Sequence, residues 1–345
     1  MAAPPTIKEI AKRANVSIGT VDRVIHKRGK VSKKNQKLIE DIMSELNYTP
    51  NVNGRNLSLN KTYKIALLIP EEIDDGYWSA PLEGVKKAQN IFRSSNLAVH
   101  YYLYKKDVEE SFQEKSNKIL NDDCDGVIMA PQLYNEANLF LRKCAERSLP
   151  FVLIDFNLSD MEPLTYIGQN AFQSGRLAGE LLSLGKNESS TFLVMNITGK
   201  GDKNVIFRRR IEGFQSYLNE KLKDFKVEVF SIFAGDIALK QKINEKIQKV
   251  IPDLSAIFIT NSKSYLIADC LPQNESIRVL GYDLLMKNRA LLKDGKIQML
   301  IHQRPIDQGY MAVECMYQYL VTKQKPPEEI VIPLDIVTPE NAMFY

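Results

Sequence analysis

The stretch Thr6-Ile-Lys-Glu-Ile-Ala-Lys-Arg-Ala-Asn-Val-Ser-Ile-Gly-Thr-Val-Asp-Arg-Val-Ile-His26 reads as two short helices joined by a tight turn. Thr6 and Glu9 make a T-x-x-E capping box, in which each side chain serves one orphan backbone donor at a helix start. Ile7, Ile10, Ala11 and Ala14 recur at i, i+3, i+4 and i+7, so they share one buried face. Asn15 and Val16 form the turn, and Ser17 caps the second helix. On that helix Val21, Val24 and Ile25 point inward, while Ile18, Gly19, Asp22, Arg23 and His26 face outward. A helix this short must pack on its neighbours. Ser32 caps a third helix to about residue 47, with Leu38, Ile39, Ile42, Met43 and Leu46 on one side to close the core. Two readings stand: a small helical subdomain with a solvated face, or a helix-turn-helix whose outer face enters a DNA major groove.

Charge separates them. The 345 residues carry a formal net charge of +4, unremarkable until it is divided. Residues 1–61 hold 12 Lys and Arg against 5 Asp and Glu, and the remainder holds 34 against 37. A cationic head on a slightly acidic body fits a domain that neutralises phosphates joined to one that does not. The first residues lack an apolar core of signal-peptide length, and the longest apolar runs are strand-sized, so a cytoplasmic protein with no membrane segment is expected. Cys124, Cys144, Cys270 and Cys315 are scattered without metal-ligand spacing and read as buried small hydrophobes. No metal or cofactor site is expected.

After the head comes Tyr48-Thr-Pro-Asn-Val-Asn-Gly-Arg-Asn-Leu-Ser-Leu-Asn-Lys61, a polar link whose residues 51–58 would form at most one short helix, ordered by a partner. From Tyr63 the rhythm changes. Apolar runs such as Ile65-Ala-Leu-Leu-Ile69, Gly126-Val-Ile-Met-Ala130, Phe151-Val-Leu-Ile-Asp155 and Phe192-Leu-Val-Met-Asn196 alternate with helical patterns at 82–94, 172–184 and 206–223. Such alternation predicts parallel sheets covered on both faces, and about 280 residues predict two such lobes. The fold class is therefore a small all-α helix-turn-helix head plus an α/β two-lobed domain. Polar residues close the strands: Asp155, Asn196, Thr260-Asn261, Tyr282-Asp283 and His302-Gln303. Each alone suits an ordinary loop or cap; together they suit a polar small-molecule site beyond the strand ends.

The chain resembles the lactose-repressor (LacI/GalR) family of bacterial transcription regulators along essentially its whole length. The resemblance rests on Thr6-Ile-Lys-Glu-Ile-Ala, Val16-Ser-Ile-Gly-Thr-Val-Asp-Arg-Val, Val31-Ser32, Leu46-Asn-Tyr-Thr-Pro-Asn51 and Arg55-Asn-Leu57, and on the order of head, hinge and two-lobed domain. It implies a helix-turn-helix domain at 1–49, a hinge at 50–61 and a ligand-binding domain at 62–345. Within that domain it implies an N-lobe of about 62–165 and 304–331 and a C-lobe of about 166–301 and 332–345. It further implies a homodimer on a pseudo-palindromic operator. Ile18, Gly19 and Arg23 would face base edges, while Thr6, Ser17, Thr20 and His26 would contact phosphates. Asp22 stands where the family usually has Ser, and His26 where it usually has Asn. Asn51 would belong to a hinge helix, Arg55 would lie against the minor groove or backbone, and Leu57 would wedge open the central step.

In the body, Arg210 lies in Arg208-Arg-Arg-Ile-Glu-Gly-Phe214, similar to the family's R-x-x-G-[FW] sugar-contact motif. Asn261, Asp283 and Gln303 match ligand positions, and Asp155 ends its strand as the family's does. Tyr77-Trp78 resembles the paired aromatics of ribose-type binding proteins, whereas Phe156 replaces their Arg. The resemblance thus implies a repressor controlled by a small polar effector, a sugar or sugar derivative, rather than an enzyme. A transport-type solute-binding protein would share the body but has no use for the basic head. A sugar-processing enzyme would need a catalytic constellation, and no nucleophile–base set or Walker loop is legible, the loop Thr198-Gly-Lys-Gly201 being a weak phosphate cradle.

Overall fold

A computed structural model describes residues 5–25, 29, 31–46, 48, 62–72, 76–92, 96–158, 160–185, 190–199, 205–270 and 277–345. The chain divides into two compact units, residues 1–61 and 62–345.

In the first unit, α1 (Ile7–Ala14), α2 (Ile18–Ile25) and α3 (Lys33–Glu45) enclose Ile10, Ala11, Ala14, Val21, Ile39, Ile42 and Tyr48. Thr6 Oγ1 accepts from the backbone of Glu9 at 3.3 Å. The other half of the expected capping box is not made, because the Glu9 carboxylate instead pairs with Arg13, one turn on, at 3.3 Å. Asn15 takes the left-handed conformation (φ 50°) that lets the chain reverse within one residue, a conformation Asn tolerates better than most. Ser17 Oγ then receives the Thr20 backbone N–H at 3.2 Å, and Ser32 Oγ that of Asn35 at 3.3 Å. Leu38, assigned from its spacing to the core side of α3, is instead 41% exposed at the helix margin. His26, Asn51, Arg55 and Leu57 lie outside the described residues.

The second unit holds two sheets of like topology. In chain order its elements begin β1 (Tyr63–Glu71), α4 (Ser79–Phe92), β2 (Leu97–Lys105), α5 (Glu109–Asn121), β3 (Gly126–Met129), α6 (Tyr134–Glu146), β4 (Phe151–Ile154) and β5 (Thr165–Gly168). They continue α7 (Ala171–Ser183), β6 (Ser190–Thr198), α8 (Val205–Lys221), β7 (Phe225–Phe233), α9 (Leu239–Val250), β8 (Leu254–Ile259) and β9 (Arg278–Tyr282). Last come α10 (Met286–Lys293), β10 (Met299–His302), α11 (Pro305–Tyr317), β11 (Glu329–Val331) and β12 (Asp335–Val337).

The N-lobe sheet runs β11-β5-β4-β3-β1-β2 and the C-lobe sheet β12-β10-β9-β8-β6-β7; among the described residues only the β10–β12 pairing is antiparallel. Central strands such as β3 and β4 are buried on both faces, which is why they read as unbroken apolar runs. The edge strands β2 and β7 alternate with exposed positions and were less plain in the sequence. The sheets settle the lobe boundaries. β5 pairs with β4, so the expected cut at 165/166 falls inside an N-lobe strand, and the first crossover follows Gly168. The chain returns through Gln303 and Arg304 and crosses once more between β11 and β12.

Each lobe also contains a helix pair in mutual backbone contact. A Cβ on Gly84 of α4 would sit 1.9 Å from the Ile306 carbonyl oxygen, and one on Gly309 of α11 2.1 Å from that of Pro81. In the C-lobe, a Cβ on Gly175 of α7 would sit 1.9 Å from the Arg210 oxygen, and one on Gly213 of α8 1.9 Å from that of Phe172. Glycine is the residue that permits these approaches. Among the described residues no helix is long and apolar enough to cross a membrane, and no group of three or more His, Cys, Asp or Glu is placed to hold a metal. Cys144, Cys270 and Cys315 are buried; Cys124 is only half-buried, since it follows α5 at the start of β3 rather than lying inside an element.

Candidate ligand cavity and recognition helix

Between the two sheets, at the carboxyl ends of their strands, lies a cavity of about 420 Å³. That is the end at which doubly wound sheets place their ligands. The eight residues singled out from the sequence (Tyr77, Trp78, Asp155, Phe156, Arg210, Asn261, Asp283 and Gln303) all line it. Tyr77 and Trp78 follow β1, Asp155 and Phe156 follow β4, Asn261 follows β8, Asp283 follows β9 and Gln303 follows β10, while Arg210 projects from α8.

Two of these positions use strained backbone. Asp155 (φ 66°) and Asp283 (φ 63°) are both left-handed at the end of their strands, turning a carboxylate across the strand tip. Both are nearly sealed from solvent, at 8% and 3% exposure. Asp155 accepts the Tyr77 hydroxyl at 2.7 Å and a Gln132 amide N–H at 3.3 Å. Asp283 accepts the Gln303 amide at 3.0 and 2.9 Å.

Gln303 sits at the crossing of the network. Its Oε1 receives Arg210 Nη2 at 2.9 Å and also the amide of Gln169, which belongs to the first crossover. Arg210 spends Nη1 on the Thr260 carbonyl at 2.5 Å and lies 3.7 Å above the Tyr282 ring, a cation–π contact. Among the described residues its Nε has no partner. Arg210 and Asp283 are thus joined through the Gln303 amide rather than as the direct ion pair their chemistry first suggests. Gln308 of α11 completes the frame, accepting the Asp155 backbone N–H at 2.9 Å and donating to the Gln303 carbonyl at 2.9 Å.

Aromatic surfaces cover the rest. Trp78 and Phe156 are buried, Tyr77 and Trp78 meet edge to face with centroids 4.9 Å apart, and Phe207 and Tyr134 complete the walls. Strand-end polarity alone did not identify Gln132, Lys263 or Phe207. Gln132 was reachable, since it stands just past β3; Phe207 carried no signal beyond its place ahead of Arg208. Asn196, also at a strand end, is not among the walls and instead accepts the Thr260 hydroxyl at 3.1 Å.

The lobes touch around the cavity. Ile206, at the tip of α8, is buried in the N-lobe cluster that contains Phe156, Leu158 and Phe140, with Val205 and Phe207 packed against it. At the rim, the Asp107 carboxylate lies so near Gly199 that a Cβ there would meet it at 2.8 Å.

Burial raises the Asp283 carboxyl to about 7, with Asp155 adding to the rise and Arg210 and Gln303 opposing it. Burial raises Asp155 as well, against Tyr77 and Arg210. A folded value above the unfolded one means that the protonated acid stabilises the fold below about pH 4 and that this contribution is lost as pH rises through about 7. The second unit should therefore melt at a lower temperature at pH 8 than at pH 5.5 in matched salt, and Asp283→Asn should flatten that slope. Equal slopes in both proteins would count against a protonated Asp283.

On α2, Ile18 is 49% exposed and Gly19 and Arg23 are exposed, as their spacing predicted, whereas Asp22, also expected outward, is half-buried, as is Thr20. Thr6 and Ser17 are exposed at the starts of α1 and α2.

Comparison with known proteins meets this geometry at both ends. The profile of the bacterial regulatory proteins, lacI family, matches residues 6–51, and that of the periplasmic binding protein domain matches residues 65–324. The chain is 28% identical over 265 residues to the HTH-type transcriptional regulator MalR of Streptococcus pneumoniae, covering 75% of this chain and 76% of that one. It is 25% identical over 344 residues to the HTH-type transcriptional repressor PurR of Escherichia coli O139:H28, covering 95% and 94%. A crystallised protein from Bacteroides fragilis, assigned as a LacI transcriptional regulator, superposes with a TM-score of 0.77 at 26% identity, over 83% of this chain and 100% of that one. A solute-binding protein of Burkholderia graminis in complex with D-arabinose shares the fold with a TM-score of 0.71 at 19% identity, over 83% and 98%.

Proposed function

Because the chain belongs to the lacI family of bacterial regulatory proteins, with a periplasmic binding protein domain behind its head, we propose that it is a repressor released or engaged by a sugar-like effector. It is a DNA-binding transcriptional regulator; the direction of control, the effector and the dimer belong to the proposal. The observation that carries it is the convergence of Asp155, Arg210, Asn261, Asp283 and Gln303 on one cleft between the lobes walled by aromatic rings. Carboxylates and amides match the paired donors and acceptors of sugar hydroxyls, and rings cover the apolar faces of a pyranose or furanose. A volume near the lower end of the usual range of about 300–1,000 Å³ suits one ring.

Two copies would set their second helices in successive major grooves of a pseudo-palindromic operator in the cytoplasm. Ile18, Gly19 and Arg23 would meet base edges, with Arg23 forking onto a guanine, while Thr6, Ser17 and Thr20 would set register on phosphates. The effector acts only through its different affinity for the two arrangements of the lobes. Arg23→Ala should cut the preference for operator over random DNA by about 10- to 100-fold, with effector binding intact. Titration of both DNAs at one fixed salt concentration reads this directly; an unchanged ratio would remove Arg23 from the recognition surface.

A further inference from the structure

Building on the effector reading of the cavity, we infer that it accepts uncharged polyhydroxylated rings and shuts out their phosphorylated and uronate forms. Among the described residues its walls hold six carboxylates, Asp107, Glu109, Glu110, Glu136, Asp155 and Asp283, against three cations. Each of these three already faces a protein acceptor, though neither ammonium has spent all three of its N–H donors. Lys106 lies 4.0 Å from Glu72, and Lys263 Nζ donates to the Ile197 carbonyl at 3.1 Å. Arg210 already gives one N–H from each terminal nitrogen to a protein acceptor, the Thr260 carbonyl and the Gln303 amide oxygen, so part of its donor capacity is spent on the cavity wall. Among the described residues its Nε–H has no partner and is left for a ligand oxygen.

The two innermost carboxylates make the opposite demand. Asp155 on the N-lobe wall and Asp283 on the C-lobe wall receive only neutral N–H and O–H donors, and a carboxylate has about four lone-pair sites. A ring hydroxyl fills such a site by giving a hydrogen bond. An anionic oxygen has no proton to give and would set like charge against buried charge, where water screens least. Phe156 and Phe207 add no cation to offset it. The exclusion is therefore built from both lobes.

The full-length protein at pH 8 is to be screened by thermal shift and then calorimetry against D-glucose, D-galactose, D-mannose and D-ribose. Each sugar is paired with its terminal phosphate and, for the hexoses, its uronate. The expected result is binding of at least one neutral sugar, with its charged partners weaker by about 100-fold or more. In Asp283→Asn that gap should narrow by about tenfold. A phosphate or uronate that binds as tightly as its neutral parent would overturn the charge exclusion and leave the sugar reading standing. Failure of every sugar, charged or not, would overturn the sugar reading itself and this inference with it.

Discussion

Replacing Arg210 with methionine is expected to abolish effector binding and to cost the sensor unit about 3–5 kcal/mol, the range for removing one partner from a buried charge network. The guanidinium holds the Thr260 carbonyl and Gln303 together and is the principal opposing charge for Asp155 and Asp283. Without it both carboxyls would retain their protons to higher pH, and Gln303 would lose the donor that fixes its amide. Arg210→Lys should not rescue, because a single ammonium cannot reach two acceptors at guanidinium spacing while lying flat on Tyr282. Chemical denaturation and calorimetry on the three proteins check this. Wild-type stability in Arg210→Met would show that the network contributes nothing net to the fold.

Gly175→Ala should also be severe, although Gly175 is not a wall of the cavity. One added methyl would meet the Arg210 backbone oxygen at 1.9 Å, so α7 and α8 must separate or the substituted chain must distort. Overpacking of this kind costs about 1–3 kcal/mol, well above the fraction of a kcal/mol that alanine gains over glycine in a helix. Because the oxygen that must yield belongs to Arg210, the displacement reaches the guanidinium, and effector affinity should fall by about tenfold or more. Gly84→Ala tests the explanation, since it makes the same clash in the other lobe, against Ile306. It should lose similar stability with a smaller effect on affinity. Equal affinity losses would mean that both variants act through general loosening.

The layout of the molecule was legible wherever a residue's neighbours in sequence are also its neighbours in space. Ser17 and Ser32 act locally, so their caps were readable; Glu9 had two local partners and took Arg13 over Thr6. Doubly buried strands announced themselves, but the boundary strand β5, as short and as buried as β3 and β4, reads Thr165-Tyr-Ile-Gly168 and carries no unbroken apolar run. Its allegiance to the N-lobe is decided by pairing with β4 and β11, which no local pattern encodes. The cavity divided the same way. Strand-end polarity and family likeness pointed to Asp155, Arg210, Asn261, Asp283 and Gln303. The insertion of Gln303 between Arg210 and Asp283 joins residues 93 and 20 apart, and the bracing of the first two crossovers by Gln169 and Gln308 joins segments more than a hundred residues apart.

The tip of α8 has a consequence for how such a receptor is switched. Swinging the lobes apart would strip Ile206, and the neighbours that pack beside it, out of an oily nest and hand that surface to water. At about 25 cal/mol per Å² of apolar surface, the penalty resists opening in the empty protein as well as the filled one. The hinge is spring-loaded toward shut. An arriving effector adds its own contacts to an adhesion that already favours the closed arrangement.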